Sequence, residues 1–130
     1  MSFSDPAVTT RSHLAPRLRT RIFLQEPDSD SYDYRQPCLI INDLGSRVLY
    51  MGAFLDSFLQ FEVRAATRED AETLSRQVWE ALHDWIGEDS TVVPQSINDF
   101  PQWNPEADRK IPAYTFSARF WLRPSTQESN

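Results

Sequence analysis

Residues 60–87 read QFEVRAATREDAETLSRQVWEALHDWIG, a strand pattern that runs directly into the only long helix pattern of the chain. Through the strand half, Leu59, Phe61, Val63 and Ala65 alternate with Gln60, Glu62, Arg64 and Ala66, so one face is made for a core. Thr67 breaks that period and starts a helix, because its hydroxyl can accept from the backbone N–H of Asp70 in an S/T-x-x-D/E capping pattern. Glu69, Asp70 and Glu72 place negative charge in the first turn, where the helix dipole favours it. From there Ala71, Leu74, Val78, Ala81, Leu82 and Trp85 share one stripe, with Trp79 and Ile86 at its edge. Glu72, Arg76, Glu80, His83 and Asp84 take the opposite side, and Glu72 with Arg76 and Arg76 with Glu80 stand four residues apart. Gly87 is the expected stop, which predicts a helix over 68–86, about 28 Å long.

The rest of the chain supplies strands for this helix to cover. Residues 113–123 alternate cleanly, Tyr114, Phe116, Ala118, Phe120 and Leu122 against Thr115, Ser117, Arg119, Trp121 and Arg123. Residues 38–41 form a continuous apolar run, and residues 20–25 (TRIFLQ) are rich in branched and aromatic side chains; both read as strands. Residues 47–53 read as a further strand or an irregular hairpin arm, with Gly52 at a bulge or bend. Residues 91–97 form a weaker strand that Pro94 assigns to an edge. Two polar segments, 26–37 and 98–112, read as loops; the first carries Tyr32 and Tyr34, the second Phe100 and Trp103. Asp5 and Pro6 open a short N-terminal helix that Pro16 must end. The expected fold is therefore α+β: a mostly antiparallel sheet of four to five strands, with one long helix and a short N-terminal helix packed on one face.

At 130 residues the chain is expected to form a single domain, 1–130, with a flexible N-terminal arm over 1–16 and a tail over 124–130. A lone cysteine, Cys38, excludes an internal disulfide framework and suits synthesis in a reducing compartment. The first sixteen residues contain no apolar signal-peptide core, and no run is long enough to cross a bilayer, so a protein made in the cytosol with no membrane association is expected. A formal charge of −6 and a pI near 4.8 argue against general nucleic-acid binding. That charge is uneven: Arg11, Arg17, Arg19 and Arg21 make the start basic, while Glu26, Asp28, Asp30, Asp33 and Asp43 make the next stretch acidic. Opposite patches suit head-to-tail self-association as well as two solvated surface segments. Leu49, Met51, Phe54 and Leu55 gather apolar surface beside a turn, which reads either as core packing or as a subunit interface.

No catalytic constellation stands out. His13 falls in the arm and His83 on the polar side of the helix, and Cys38 sits in an apolar run that suits a buried thiol. Glu80, His83 and Asp84 are neighbours on the helix but lack a second cluster of metal ligands. Three glycines, none in a phosphate-loop motif, leave no cradle for a nucleotide. The expectation is a non-enzymatic protein with no cofactor and no metal.

The run FEVRAATREDAETLSRQVWEALHDW, preceded by PCLIINDLG and followed by a long loop and AYTFSARFWLRP, resembles the tail terminator or tail completion proteins of long-tailed bacteriophages. The matching positions are Val63 and Ala65 at the strand end, then Ala71, Leu74, Val78 and Leu82 along the helix, with Pro37 and Gly45 bracketing the earlier strand. The resemblance spans roughly residues 20–123; the family begins with a longer helix than Pro16 allows here. It implies a structural virion protein, made in the host cytoplasm, that closes as a hexamer ring on the head-proximal end of the tail. Such a ring ends tail-tube growth and joins tail to head. Its partners are then other copies of itself, the tail-tube protein and a head-connector or stopper protein, with DNA passing through without sequence-specific binding. Candidate contact residues for such a ring are Arg17, Arg19, Arg21, Asp28, Asp30, Leu49, Met51, Phe54, Leu55 and Trp103. Two other readings stand beside this one. Another head-to-tail connector or tail-tube subunit of related fold fits the same pattern, and a small-ligand or regulatory α+β binding module would need an enclosed apolar pocket near Trp103.

Overall fold

The computed structural model of the chain describes residues 5–25, 36–89, 92–104 and 111–124, with the backbone alone for 94–98. Helix α1 spans Pro6–Leu14 and follows the expected chemistry: the Asp5 carboxylate accepts from the backbone N–H of Ala7 at 2.9 Å and of Val8 at 3.2 Å, and Pro6 occupies a first-turn position that needs no donor. Ala7, Thr10 and Leu14 are buried along one stripe; the Thr10 hydroxyl is satisfied by donating to the Pro6 carbonyl at 2.7 Å.

Seven strands follow among the described residues: β1 (Arg21–Phe23), β2 (Cys38–Asp43), β3 (Arg47–Leu49), β4 (Phe54–Arg64), β5 (Val92–Asn98), β6 (Gln102–Trp103) and β7 (Ala113–Leu122). They form one sheet in the order β1-β2-β4-β7-β5, with β3 also on β4 and β6 also on β7. The centre is the ten-residue antiparallel ladder of β4 and β7, Leu55 opposite Leu122 through Arg64 opposite Ala113. Each central strand is longer than any neighbour, so its outer edge is shared: β2 and β3 divide that of β4, β5 and β6 that of β7. This sharing raises the strand number from the expected four or five to seven. Strand β1 runs parallel to β2, so the sheet is mixed, while the other pairings among the described strands are antiparallel, in keeping with a mostly antiparallel sheet. Strand β5 does lie at an edge, where the missing N–H of Pro94 is tolerated, and its pairing slips between Pro94 and Asn98.

Helix α2 spans Arg68–Glu88, 21 residues and so about 31 Å. The backbone N–H of Asp70 donates to the Thr67 hydroxyl at 3.1 Å, which fixes its start. The helix passes the expected stop at Gly87, because Asp89 closes the last turn: its N–H donates to the Trp85 carbonyl at 2.9 Å and its carboxylate accepts from the Trp85 indole at 2.8 Å. Arg76 meets Glu72 at 3.0 Å and lies over Phe100, which leaves the other expected partner, Glu80, facing solvent.

Both helices lie on one face of the sheet. The core is built from Leu59, Phe61 and Val63 of β4, Phe116, Ala118 and Phe120 of β7, Leu39 and Ile41 of β2, and Val78, Leu82 and Trp85 of α2. Each of these larger side chains contributes about 1.5–3 kcal/mol by leaving water. Phe61 stacks on Phe116 at 4.9 Å, Trp85 meets the edge of Phe120 at 5.4 Å, and His13 of α1 stacks on Trp85 at 4.7 Å. His13 thus belongs to a helix–helix joint rather than to an arm. Along its length α2 runs back over β4: Ala71 packs near Ala65 and Tyr114, whereas Trp85 sits over Phe120, which lies opposite Ser57. No helix among the described residues is long and apolar enough to cross a membrane.

Candidate subunit interface

The sheet face opposite α1 and α2 carries the even-numbered side chains of β4 and the odd-numbered ones of β7. At one end this face is closed: Cys38, Ile40 and Arg64 are buried, with Phe23 packed against the first two and Arg64 paired with Glu62. Among the described residues the other end is open, and there the β3–β4 hairpin projects. Leu49 pairs with Phe54 across a four-residue loop, Tyr50 to Ala53. Met51 (φ 55, ψ 35) and Gly52 (φ 97) have the dihedrals of a type I′ turn, and the Ala53 N–H closes it by donating to the Tyr50 carbonyl at 3.2 Å. Tyr50 also has a positive φ, 54°.

Two consecutive non-glycine residues in the left-handed region carry strain of about 1–2 kcal/mol each, and Asn-Gly is the pair this turn favours. A methionine placed there is fully exposed (105%), and it is flanked by Tyr50 (68%) and Val48 (56%). Strain that displays apolar side chains to water is a mark of a contact surface, since neither term stabilises the isolated chain.

The surface behind this tip is aromatic and basic. Tyr50 meets Trp121 at 5.6 Å and Phe54 at 6.2 Å; Phe54 lies 5.2 Å from Trp121, and Arg123 sits over Phe54 at 5.9 Å. Beside them Asp56 is buried between Arg47 at 3.4 Å and Arg119 at 3.5 Å, and the Arg119 guanidinium stacks over Phe58 at 4.6 Å. At those distances the alignment is poor: Asp56 Oδ1 and Arg119 Nε are both buried without a hydrogen bond. Tyr, Trp and Arg around a desolvated centre is the composition that carries binding energy at protein interfaces.

No protein-family model and no curated protein matches the chain.

The structure divides the residues that the sequence grouped as contact candidates. Met51 is at the hairpin tip and Leu49 and Phe54 are half-buried at its base, whereas Leu55 points through the sheet into the core. A one-residue step along a strand changes face, and this separates Phe54 from Leu55. Arg17 follows α1 and is held within the chain, donating to the Ala81 carbonyl at 3.2 Å and to Glu88 at 3.3 Å. Arg19 lines a groove beside α2, and Arg21 is exposed on β1. Asp28 and Asp30 lie outside the described residues, as do Tyr32 and Tyr34. Trp103 is on β6, toward the far end of β7 from the hairpin: the Arg68 guanidinium lies 4.3 Å over its ring and Tyr114 meets its edge at 5.4 Å.

The cleft near Trp103 has a volume of about 240 Å³, below the usual range for ligand pockets, and Arg68, Glu72 and Arg76 contribute to its wall. Its polar groups satisfy one another: Arg68 donates to the Tyr114 hydroxyl at 3.2 Å, and that hydroxyl to Glu72 at 3.4 Å. Together with the Trp79 indole, which donates to the Asp99 carbonyl at 2.9 Å, these contacts pin residues 99–104 to α2. His83 is likewise occupied, its ring 4.0 Å from that of Trp79 and its Nδ1 2.8 Å from the Trp79 carbonyl.

Sequence reasoning missed Tyr50, Asp56, Arg119 and Trp121 as members of one surface. A readable signal did exist: Met-Gly where a tight hairpin favours Asn-Gly, beside a strand whose outward side carries Arg119, Trp121 and Arg123.

Proposed function

We propose that this chain is a structural subunit that works by self-association, closing in several copies into a tail-terminator ring on the phage tail tube. The observation that carries the proposal is the open hairpin end of the sheet, where Tyr50 and Met51 are held out by strained backbone above a Phe54–Trp121–arginine platform. The sequence likeness to tail completion proteins supplies the class of assembly. In a ring the contact is heterologous: this surface of one copy meets a different patch of the next, and such contacts close when the rotation closes. The action is steric: the ring seats on the last ring of the tube, offers the head a different surface and stops further addition. The head-connector protein and a six-copy ring belong to the same proposal, as does a location at the head-proximal end of the tail. An acidic chain suits a channel that DNA crosses without being held.

The test is multi-angle light scattering of the purified protein, alone and with the tail-tube protein, together with electron microscopy of tube length. A ring or a capped tube of fixed length is expected. A particle that stays monomeric in both conditions and leaves tube length unchanged sinks the proposal.

A further inference from the structure

We infer that the hairpin end of one copy docks on the C-terminal half of α2 in the next copy. This rests on the self-association proposed above and specifies its two mating surfaces. Glu80, Asp84 and Glu88 recur every four residues along α2 and form an acidic stripe on its outer side. Glu88 is engaged by Arg17, whereas Glu80 and Asp84 make no ion pair among the described residues. Beside the stripe runs a groove of about 590 Å³ that takes in the Arg17–Glu88 pair and is otherwise lined by Leu18, Arg19, Gln77, Glu80, Ala81 and Asp84. Leu18 and Ala81 are buried within it; its wall is acidic on the α2 side, and Arg17 and Arg19 stand on the other.

The hairpin end has the opposite charge to the α2 stripe. Met51 and Tyr50 project from it, and Arg47 (73% exposed) and Arg123 flank it. The guanidinium groups fit the carboxylates of Glu80 and Asp84 on the α2 wall. Placement supports the match. Because α2 runs back over β4, its residues 80–88 lie over the same end of the sheet as the hairpin but on the opposite face. Complementary patches at one level on opposite faces can be brought together by rotation about an axis, copy after copy, which is the condition for a closed ring.

Charge reversal tests the pairing. Arg47→Glu with Arg123→Glu blocks the hairpin surface, and Glu80→Arg with Asp84→Arg blocks the helix surface. Each double variant alone is expected to self-associate at least roughly tenfold more weakly than the unaltered chain, in sedimentation velocity at low salt. Mixed in equal amounts, the two are expected to recover assembly, because every contact then joins either two native surfaces or two reversed ones. Because Arg47 lies beside buried Asp56, the milder pair Arg47→Gln with Arg123→Gln is run in parallel, and all variants are checked by circular dichroism. If folded variants of either set assemble as well as the unaltered chain, or if the mixture stays dissociated, the docking inference is overturned while the ring proposal stands. If the unaltered chain assembles under no condition, alone or on tube protein, both fall.

Discussion

Replacing Met51 by Asn is expected to make the single subunit more stable and the assembly weaker. Met51 adopts φ 55 and ψ 35 as the first central residue of a type I′ turn, with Gly52 second. Holding a residue other than Gly, Asn or Asp in that region costs about 1–2 kcal/mol, and Asn relieves much of it because its short side chain bonds locally. Nothing offsets the gain in the isolated chain, since the Met51 side chain is fully exposed (105%) and gives up no buried area. A net gain of about 1 kcal/mol follows, and with it a rise in Tm of about 3–5 °C for a domain of this size. In the assembly the balance reverses: burying a methionine side chain contributes about 1.5–3 kcal/mol, so its loss weakens association roughly 10- to 100-fold. Thermal melts must be run at several dilutions, because subunit contacts raise the apparent Tm by mass action. A lower or unchanged Tm at high dilution refutes the reasoning, for it means that the turn is unstrained or that Met51 packs against its own chain.

Four further outcomes are expected. Leu82→Ala, at a fully buried helix position, should lower the unfolding free energy by about 2–5 kcal/mol in urea titrations, and a loss below about 1 kcal/mol contradicts its place in the core. Asp56→Ala should destabilise by about 1–3 kcal/mol, because it leaves Arg119 partly buried without a counter-charge; the double change Asp56→Leu with Arg119→Met should recover most of that loss, and failure to recover argues against the pair as the cause. Trp103→Ala should speed amide exchange in residues 99–104 while sparing β4, since it removes the ring under Arg68; uniform loss of protection across the sheet speaks against a local clamp. Leu49→Asp or Phe54→Asp should abolish self-association with near-native circular dichroism, and unfolding instead assigns those side chains to the core.

Much of the architecture was legible in residues 59–86 and 113–123, because two periods are written there without interruption. Alternation over 59–65 assigned Phe61 and Val63 to the core face, and the 3.6-residue stripe assigned Val78, Leu82 and Trp85 to the helix side that covers them. The Thr67 cap and the edge position of β5 were readable for the same reason: each follows from a local hydrogen-bonding need. Local chemistry failed where pairing over long distances takes over. The start of β4 at Phe54 and the parallel seat of β1 on β2 depend on which backbone edges remain unpaired once β4 meets β7, and no short window of sequence records that. So does the appearance of β6 within an apparent loop.

The same division holds for the candidate site. By itself the sequence determined that an apolar cluster sits beside Gly52 and that β7 presents Arg119, Trp121 and Arg123 away from the core, because side-chain direction along a strand is fixed by the alternation of the backbone. Only the tertiary structure decided that Leu55 leaves that cluster for the core while Tyr50 joins Trp121, and that Arg47, Asp56 and Arg119 meet across three strands. Only the fold, likewise, set the acidic half of α2 against the same end of the sheet. Strand register and helix direction bring together residues far apart in sequence, and both are set by the packing of the whole core rather than by any residue's own preference.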